Sequence, residues 1–335
     1  MSWYKMIKTT NRKAFTMLEL VMVIVILGIV SSITSSIFVR VYENYIIQRA
    51  THNASLKTEL AITQTANRLT YRIHGTTIAR NPATGDFFDV ESMLSKQTDR
   101  NHIVLEWIGY DHDSFSTANP PGWSGYCNTA ATIGSPAGAG RIVTPGSNLD
   151  FTKKVITNLS GGTPRWALLF SLDAGLFRNA PPALFLDESC MGYNGSNNDC
   201  IHSVTEDNST SLTTDKFDRV PIILNSRISD HYKLAWSAYA IVPVEHNTHS
   251  VVDPDSMLGT NDSVFDLELR YSYQPWAGID YNDADVPSIT LIKNVTTFKF
   301  SEQGDTMRLK LCATEKIGGE GSTNISICKE KVVMR

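Results

Sequence analysis

From Leu20 to Val39 the chain carries no charge and is dense in Val, Ile and Leu. A helix rises about 1.5 Å per residue, so this run reaches across about 30 Å, the hydrocarbon thickness of a bilayer. No second apolar run of that length follows, and the pattern predicts a single span. Behind it, from Arg40 to His74, apolar positions return at Ile62, Ala66, Leu69 and Ile73, the 4, 3, 4 spacing of one helix face. Arg49, Lys57, Glu59, Gln64, Arg68 and Arg72 fall between them. Residues 29–74 contain neither Pro nor Gly, so an unbroken helix is expected from Phe15 to His74, stopped by Gly75 and about 90 Å long. A helix of that length is unusual for a globular protein.

Past Gly75 the period changes. Ile103–Ile108, Trp166–Leu172, Lys233–Val244, Val264–Tyr273, Ser288–Phe300, Thr306–Ala313 and Ile325–Met334 are rich in β-branched and aromatic residues and read as strands. The Gly-, Pro-, Ser- and Asn-rich intervals 114–149 and 187–215 read as surface loops. The last three strands form a meander: Thr296, Phe298 and Phe300 share one face, as do Met307, Leu309 and Leu311, and Ile325 and Ile327. The expected fold is therefore α+β, a long N-terminal helix packed on a β-rich antiparallel head. Its segments are 1–14 as a cytoplasmic leader, 15–39 as the membrane helix, 40–74 as its amphipathic extension and 75–335 as the head.

Composition adds orientation. Of 335 residues 42% are hydrophobic and 9% aromatic, enough for a real core, and the net charge of −4 calls for no nucleic acid. No basic patch with interleaved aromatics stands out, so nucleic-acid contact has no support. Lys5, Lys8, Arg12 and Lys13 are concentrated before the apolar run with no acid among them. Basic flanks stay cytoplasmic, which sends the C-terminal mass across the membrane. There disulfides are permitted. Cys190 and Cys200 bracket a polar loop suited to a local staple; Cys312 and Cys328 flank a Gly-rich stretch and fall on the polar faces of neighbouring strands; Cys127 is left over. No C-x₂-C zinc spacing occurs.

The segment Lys13-Ala14-Phe15-Thr16-Met17-Leu18-Glu19-Leu20 holds one acid, Glu19, at the entrance of the uncharged span. A carboxylate next to hydrocarbon costs about 2–4 kcal/mol, so a partner is expected for it. This arrangement resembles the class III signal of the type IV pilin superfamily: pilins, minor pilins and the pseudopilins of type II secretion. The resemblance implies cleavage between Ala14 and Phe15 by the membrane prepilin peptidase, N-methylation of Phe15, and Glu19 as the fifth mature residue, which pairs with a neighbour's N-terminal amine during filament assembly. Gly28 also falls where the family often has Gly. Ala14 replaces the usual Gly before the cut, and Ser36 stands where major pilins carry a helix-kinking Pro, a departure that resembles minor pseudopilins, most like the large J-type or W-type subunits. The partners implied are other pilin-like subunits, the prepilin peptidase, an inner-membrane assembly platform and the lipid bilayer, and the place is a bacterial inner membrane with a periplasmic head.

Catalytic motifs are missing from the sequence: no G-x-x-x-x-G-K-[ST], G-x-G-x-x-G or G-x-S-x-G. No enzymatic activity is expected. His246 and His249 form an H-x-x-H without the glutamate of a zincin and read as loop histidines. Asp111-His112-Asp113 has the residue types of a metal site, but a solvated turn is the better reading. Asp280, Asp283 and Asp285 are oxygen-rich enough to suggest calcium, but the EF-hand glycine and terminal glutamate are missing, and a polar turn is the simpler reading. No other cofactor is indicated. Asn208-Ser209-Thr210 is a glycosylation sequon preceded by Glu206 at minus two. Trp123, Trp236 and Trp276 are candidates for partner contact, with burial in the core the default for Trp236. The competing class is a signal-anchored periplasmic binding protein or adhesin in which Glu19 is incidental; a tethered periplasmic enzyme is a third.

Overall fold

The computed structural model describes residues 16–91, 101–115, 120–131, 140–170, 191–193, 195, 201–214, 230–250, 263–304, 306–317 and 323–334. One long helix, α1 (Met17–Leu69), leads into an antiparallel sheet. In chain order the remaining elements are β1 (Ile78–Arg80), β2 (Phe87–Asp89), β3 (Val104–Tyr110), β4 (Gly140–Val143), α2 (Leu149–Ser160), β5 (Trp166–Phe170), β6 (His202–Asn208), β7 (Ser211–Thr214), β8 (Tyr232–Ser250), β9 (Ser263–Tyr273), β10 (Ser288–Gln303), β11 (Thr306–Ile317) and β12 (Thr323–Met334). The sheet order is β12-β11-β10-β9-β8-β5-β6-β7-β4, with β3 also paired to β8 and β1 and β2 continuing outward from β3. The expected α+β arrangement is what the chain adopts.

The helix divides into a bare half and a covered half. From Met17 to Arg49 no residue is buried, a stretch of about 50 Å. From Ala50 onward one stripe is covered: Ala50, Ala54, Thr58, Ala61, Ile62, Thr65, Ala66 and Leu69. Ile62, Ala66 and Leu69 belong to the predicted face. Small residues carry it a further three turns, because a helix can lie close to a sheet only where its facing side chains are short. The stripe packs on Leu309, Leu311, Ala313 and Phe298 in one core cluster. At its margins Lys57 pairs with Glu315 at 3.2 Å, and Lys331 donates to Thr63 Oγ1 at 2.8 Å.

The helix stops at Leu69, five residues short of the expected His74. Gly75 does take a positive φ of 77°, but in the turn beyond. Tertiary bonding wins over helix propensity here. Tyr71 O accepts from Tyr110 N at 2.9 Å and Ile73 N donates to Ile108 O at 2.9 Å, so the chain becomes a short strand-like segment beside β3. Arg72 turns inward and its Nε and Nη2 both donate to Glu302 Oε1, at 3.1 and 3.0 Å, while Nη1 donates to Leu69 O. Ile73 is buried as predicted, in the second core cluster and not on the helix.

The C-terminal meander follows its pattern. Phe298, Phe300, Met307, Leu309 and Leu311 are buried, Lys299, Arg308 and Lys310 exposed. Cys312 lies directly opposite Cys328 in the β11–β12 register, and the two are bonded. Cys328 is exposed as expected of a polar face, whereas Cys312 is buried. Two predicted loops need correction. The interval 187–215 contains the hairpin β6–β7, and 114–149 contains β4. These strands are polar and short, with Val204, Leu212 and Ile142 as their large apolar residues in the core, so alternation was too weak to mark them. Helix α2 covers them, burying Leu149, Thr152 and Ile156; Leu149 and Ile156 join a third cluster with Trp123, Trp166 and Leu234. Gly109 sits at a bulge in β3 where a Cβ would lie 2.8 Å from the Tyr239 ring; only glycine lets that ring close over the strand.

Candidate functional site

At the N-terminus Thr16 is the N-cap of α1, with extended φ and ψ of −68° and 146°. Its Oγ1 accepts from Glu19 N at 3.3 Å, and its carbonyl accepts from Leu20 N at 3.1 Å. Thr16-Met17-Leu18-Glu19 therefore has the S/T-x-x-E sequence of a capping box with its Thr16 Oγ1–Glu19 N bond formed, an N-cap role for Thr16 that the sequence reading did not include. Glu19 occupies the first turn, where the helix dipole favours a negative charge. It is exposed, as are its described neighbours along the helix. Ala14 and Phe15 lie outside the described residues. Gly28 has open space where a Cβ would be, so nothing within this chain demands glycine there.

In the head, the most concentrated polar chemistry surrounds Arg80 on β1. Its Nε donates to Glu106 Oε2 at 2.9 Å, Nη2 donates to Tyr193 O at 2.9 Å, and Nη1 reaches Gly85 O at 3.4 Å and Asp280 Oδ2 at 3.6 Å. The guanidinium lies 5.0 Å from the Phe87 ring centroid and 5.4 Å from that of Tyr281. Glu106 Oε1 accepts from Tyr273 OH at 2.8 Å, and Tyr193 OH donates to Thr76 O at 2.6 Å. Burial pushes the Glu106 carboxyl up to about 7, against the opposing pull of Arg80 and the Tyr273 hydroxyl. Burial likewise raises the Tyr193 and Tyr273 phenols. A cavity of about 580 Å³ opens beside the cluster, with Asp86, Phe87 and Ile279 in its wall. Gly192 is wedged there: a Cβ would meet the Trp276 backbone at 2.8 Å. The donors and acceptors are spent on one another, and the cluster clasps β1, β3, β9 and the turns at Tyr193 and Asp280.

The remaining predicted residues fall as follows. Cys190 and Cys200 lie outside the described residues, and the Cys127 side chain is fully buried in the third core cluster. Asp280 and Asp283 hold a turn: Asp280 N donates to Asp283 Oδ2 at 2.9 Å and Asp280 Oδ1 accepts from Asn282 N at 3.0 Å. No group of three potential metal ligands occurs among the described residues. Asp111 does not sit in a solvated turn; it is buried, bonded to Ser114, with burial raising its carboxyl. Trp123, Trp236 and Trp276 are all buried, which removes them as contact residues. Trp123 Nε1 donates to Asp111 O, and Trp276 Nε1 to Arg165 O. His246 and His249 belong to β8 and not to a loop; their side chains lie outside the described set.

Among the described residues one helix, Met17–Leu69, is long and apolar enough to cross a membrane, and with the basic residues before it and the β-rich head behind it this defines a class: a single-pass membrane protein with a large extracytoplasmic head. Residues 9–35 match the family model described as the prokaryotic N-terminal methylation motif. No curated protein and no solved structure matches the chain. The prepilin-type motif, the long apolar helix and the β-rich head together fit a type IV pilin-like subunit.

Proposed function

We propose that the protein is a minor pilin or pseudopilin, assembled from the bacterial inner membrane into a type IV filament for pilus biogenesis, type II protein secretion or DNA uptake. The observation that carries this reading is Glu19 in the first turn of a helix uncovered by its own chain as far as Arg49, within the stretch that matches the methylation motif. The prepilin peptidase cuts between Ala14 and Phe15, and Phe15 is N-methylated. The freed amine then sits at the positive end of the helix dipole, where it is disfavoured. The Glu19 carboxylate of an adjacent subunit relieves both that amine and its own exposure to hydrocarbon. Because unpaired charges in lipid are costly, only the register that joins them is stable. Other pilin-like subunits and an inner-membrane assembly platform are the partners, the work is mechanical, and the protein is a substrate of enzymes with no active site of its own.

The test is Glu19→Ala in the native cell, with filament incorporation followed by shearing and crosslinking and the N-terminus read by mass spectrometry. Incorporation is expected to be lost while membrane insertion and the Cys312–Cys328 bond are retained. Undiminished incorporation, or a mature N-terminus beyond residue 30, refutes the proposal and favours a plain signal anchor.

A further inference from the structure

The β6–β7 hairpin carries a feature that filament assembly does not use. Glu206, Asn208 and Thr210 stand two residues apart. While the segment is still extended, before the Ser209–Thr210 turn closes the hairpin, side chains at such spacing project to one side, so a carboxylate, a carboxamide and a hydroxyl are offered together to an enzyme that grips an extended chain. We propose that Asn208 is an N-glycosylation acceptor, taking an oligosaccharide from a lipid-diphosphate donor at the outer face of the membrane. In the transfer, Asn208 Nδ2 bonds to the anomeric carbon of the sugar, the bond from that carbon to the diphosphate oxygen breaks, the lipid diphosphate departs, and the amide proton passes to a base of the transferase. No redox partner is needed.

The structure separates this sequon from the other described ones. Asn208, Ser209 and Thr210 are all exposed at the hairpin tip. Asn208 Oδ1 accepts from Thr210 N at 3.0 Å and from Thr210 Oγ1 at 3.3 Å, which fixes the carboxamide at the tip. Asn208 is the last residue of β6 with Ser209 and Thr210 in the turn beyond it, whereas among the other described sequons Asn53 and Asn158 lie inside α1 and α2, and Asn294 and Asn324 inside β10 and β12. Their minus-two residues are Thr51, Ile156, Ile292 and Ser322, none of them acidic. In the folded head Glu206 Oε2 is held by Lys153 of α2 at 2.6 Å. The acid is thus presented before α2 docks, and the glycan is added as the head emerges. Once folded, the hairpin lies toward the β4 end of the sheet, whereas α1 packs on β10, β11 and β12. A saccharide on Asn208 leaves the helix free for neighbouring subunits and shields the polar strands at that end. The inference needs only an extracytoplasmic head, not filament assembly.

The experiment is peptide mass spectrometry on the full-length protein extracted from its native envelope. The peptide containing Asn208 is expected to carry at least one saccharide, and Asn208→Gln to lose it. Thr210→Val, a near-isosteric change at an exposed position, is expected to abolish the addition, and Glu206→Gln to deplete it, with the Cys312–Cys328 bond in each variant reporting a folded head. An Asn208 peptide of unmodified mass in the wild type overturns the proposal, as does a glycan that survives Thr210→Val. A glycan at full occupancy in Glu206→Gln overturns the role of the acid.

Discussion

Arg72 ties the end of the membrane helix to the head, and its removal is the sharpest test of how the two are joined. Its side chain is 1% exposed and that of Glu302 5%, and two of its nitrogens converge on one carboxylate oxygen. Arg72→Met leaves the Glu302 carboxylate buried without its cation. Breaking such a pair from one side costs about 3–5 kcal/mol, most of it the uncompensated charge. For a domain of this size that lowers the unfolding midpoint by about 10 °C. The double variant Arg72→Met with Glu302→Leu removes the orphaned charge as well and is expected to recover most of the loss. By contrast, Lys57→Met breaks a pair whose lysine is 57% exposed and should cost less than about 1 kcal/mol. The assay is thermal unfolding of the detergent-solubilised full chain by near-UV circular dichroism, completed as a double-mutant cycle. Equal losses for Arg72→Met and Lys57→Met, or additive losses in the double variant, would refute the reasoning.

Three further outcomes are expected. Reducing the Cys312–Cys328 bond, which closes a separation of 16 residues, should cost about 3 kcal/mol by chain entropy and lower the midpoint; an unchanged midpoint in dithiothreitol counts against it. Ala61→Leu forces a larger side chain between α1 and the sheet and should cost about 1–3 kcal/mol, seen as faster amide exchange in residues 50–69; unaltered exchange would mean that the helix does not seat closely there. Burial raises the Glu106 carboxyl to about 7 and also raises Glu302, Asp89 and Asp111. The folded chain therefore binds more protons than the unfolded one between the ordinary carboxylate range and pH 7, so stability falls as pH rises through that window and levels off above it. Glu106→Gln should flatten this slope even though it lowers stability overall, and a wild-type midpoint higher at pH 8 than at pH 5 would contradict the sign.

Local pattern alone marked much of this molecule. The uncharged run Leu20–Val39, the basic residues before it and the Glu19 offset needed no folded context, because a bilayer reads hydrophobicity and charge along a single helix. The C-terminal meander was legible for a similar reason: Phe298, Phe300, Met307, Leu309 and Leu311 alternate strictly on a half-buried sheet. What escaped was decided by partners distant in the chain. Arg72 looked like one more solvated helix residue until Glu302, far along the sequence, drew it inward and ended α1 at Leu69. Arg80 and Glu106 carried no motif, because their meaning lies in being brought together beside Tyr193 and Tyr273. The small stripe Ala50, Ala54, Thr58 and Ala61 was silent because alanine is common in any helix and is informative only once a sheet lies against it. Sequence determines what each segment is able to bury; which buried charges meet, and where the helix gives way to strand, is set by contacts formed only when the sheet closes.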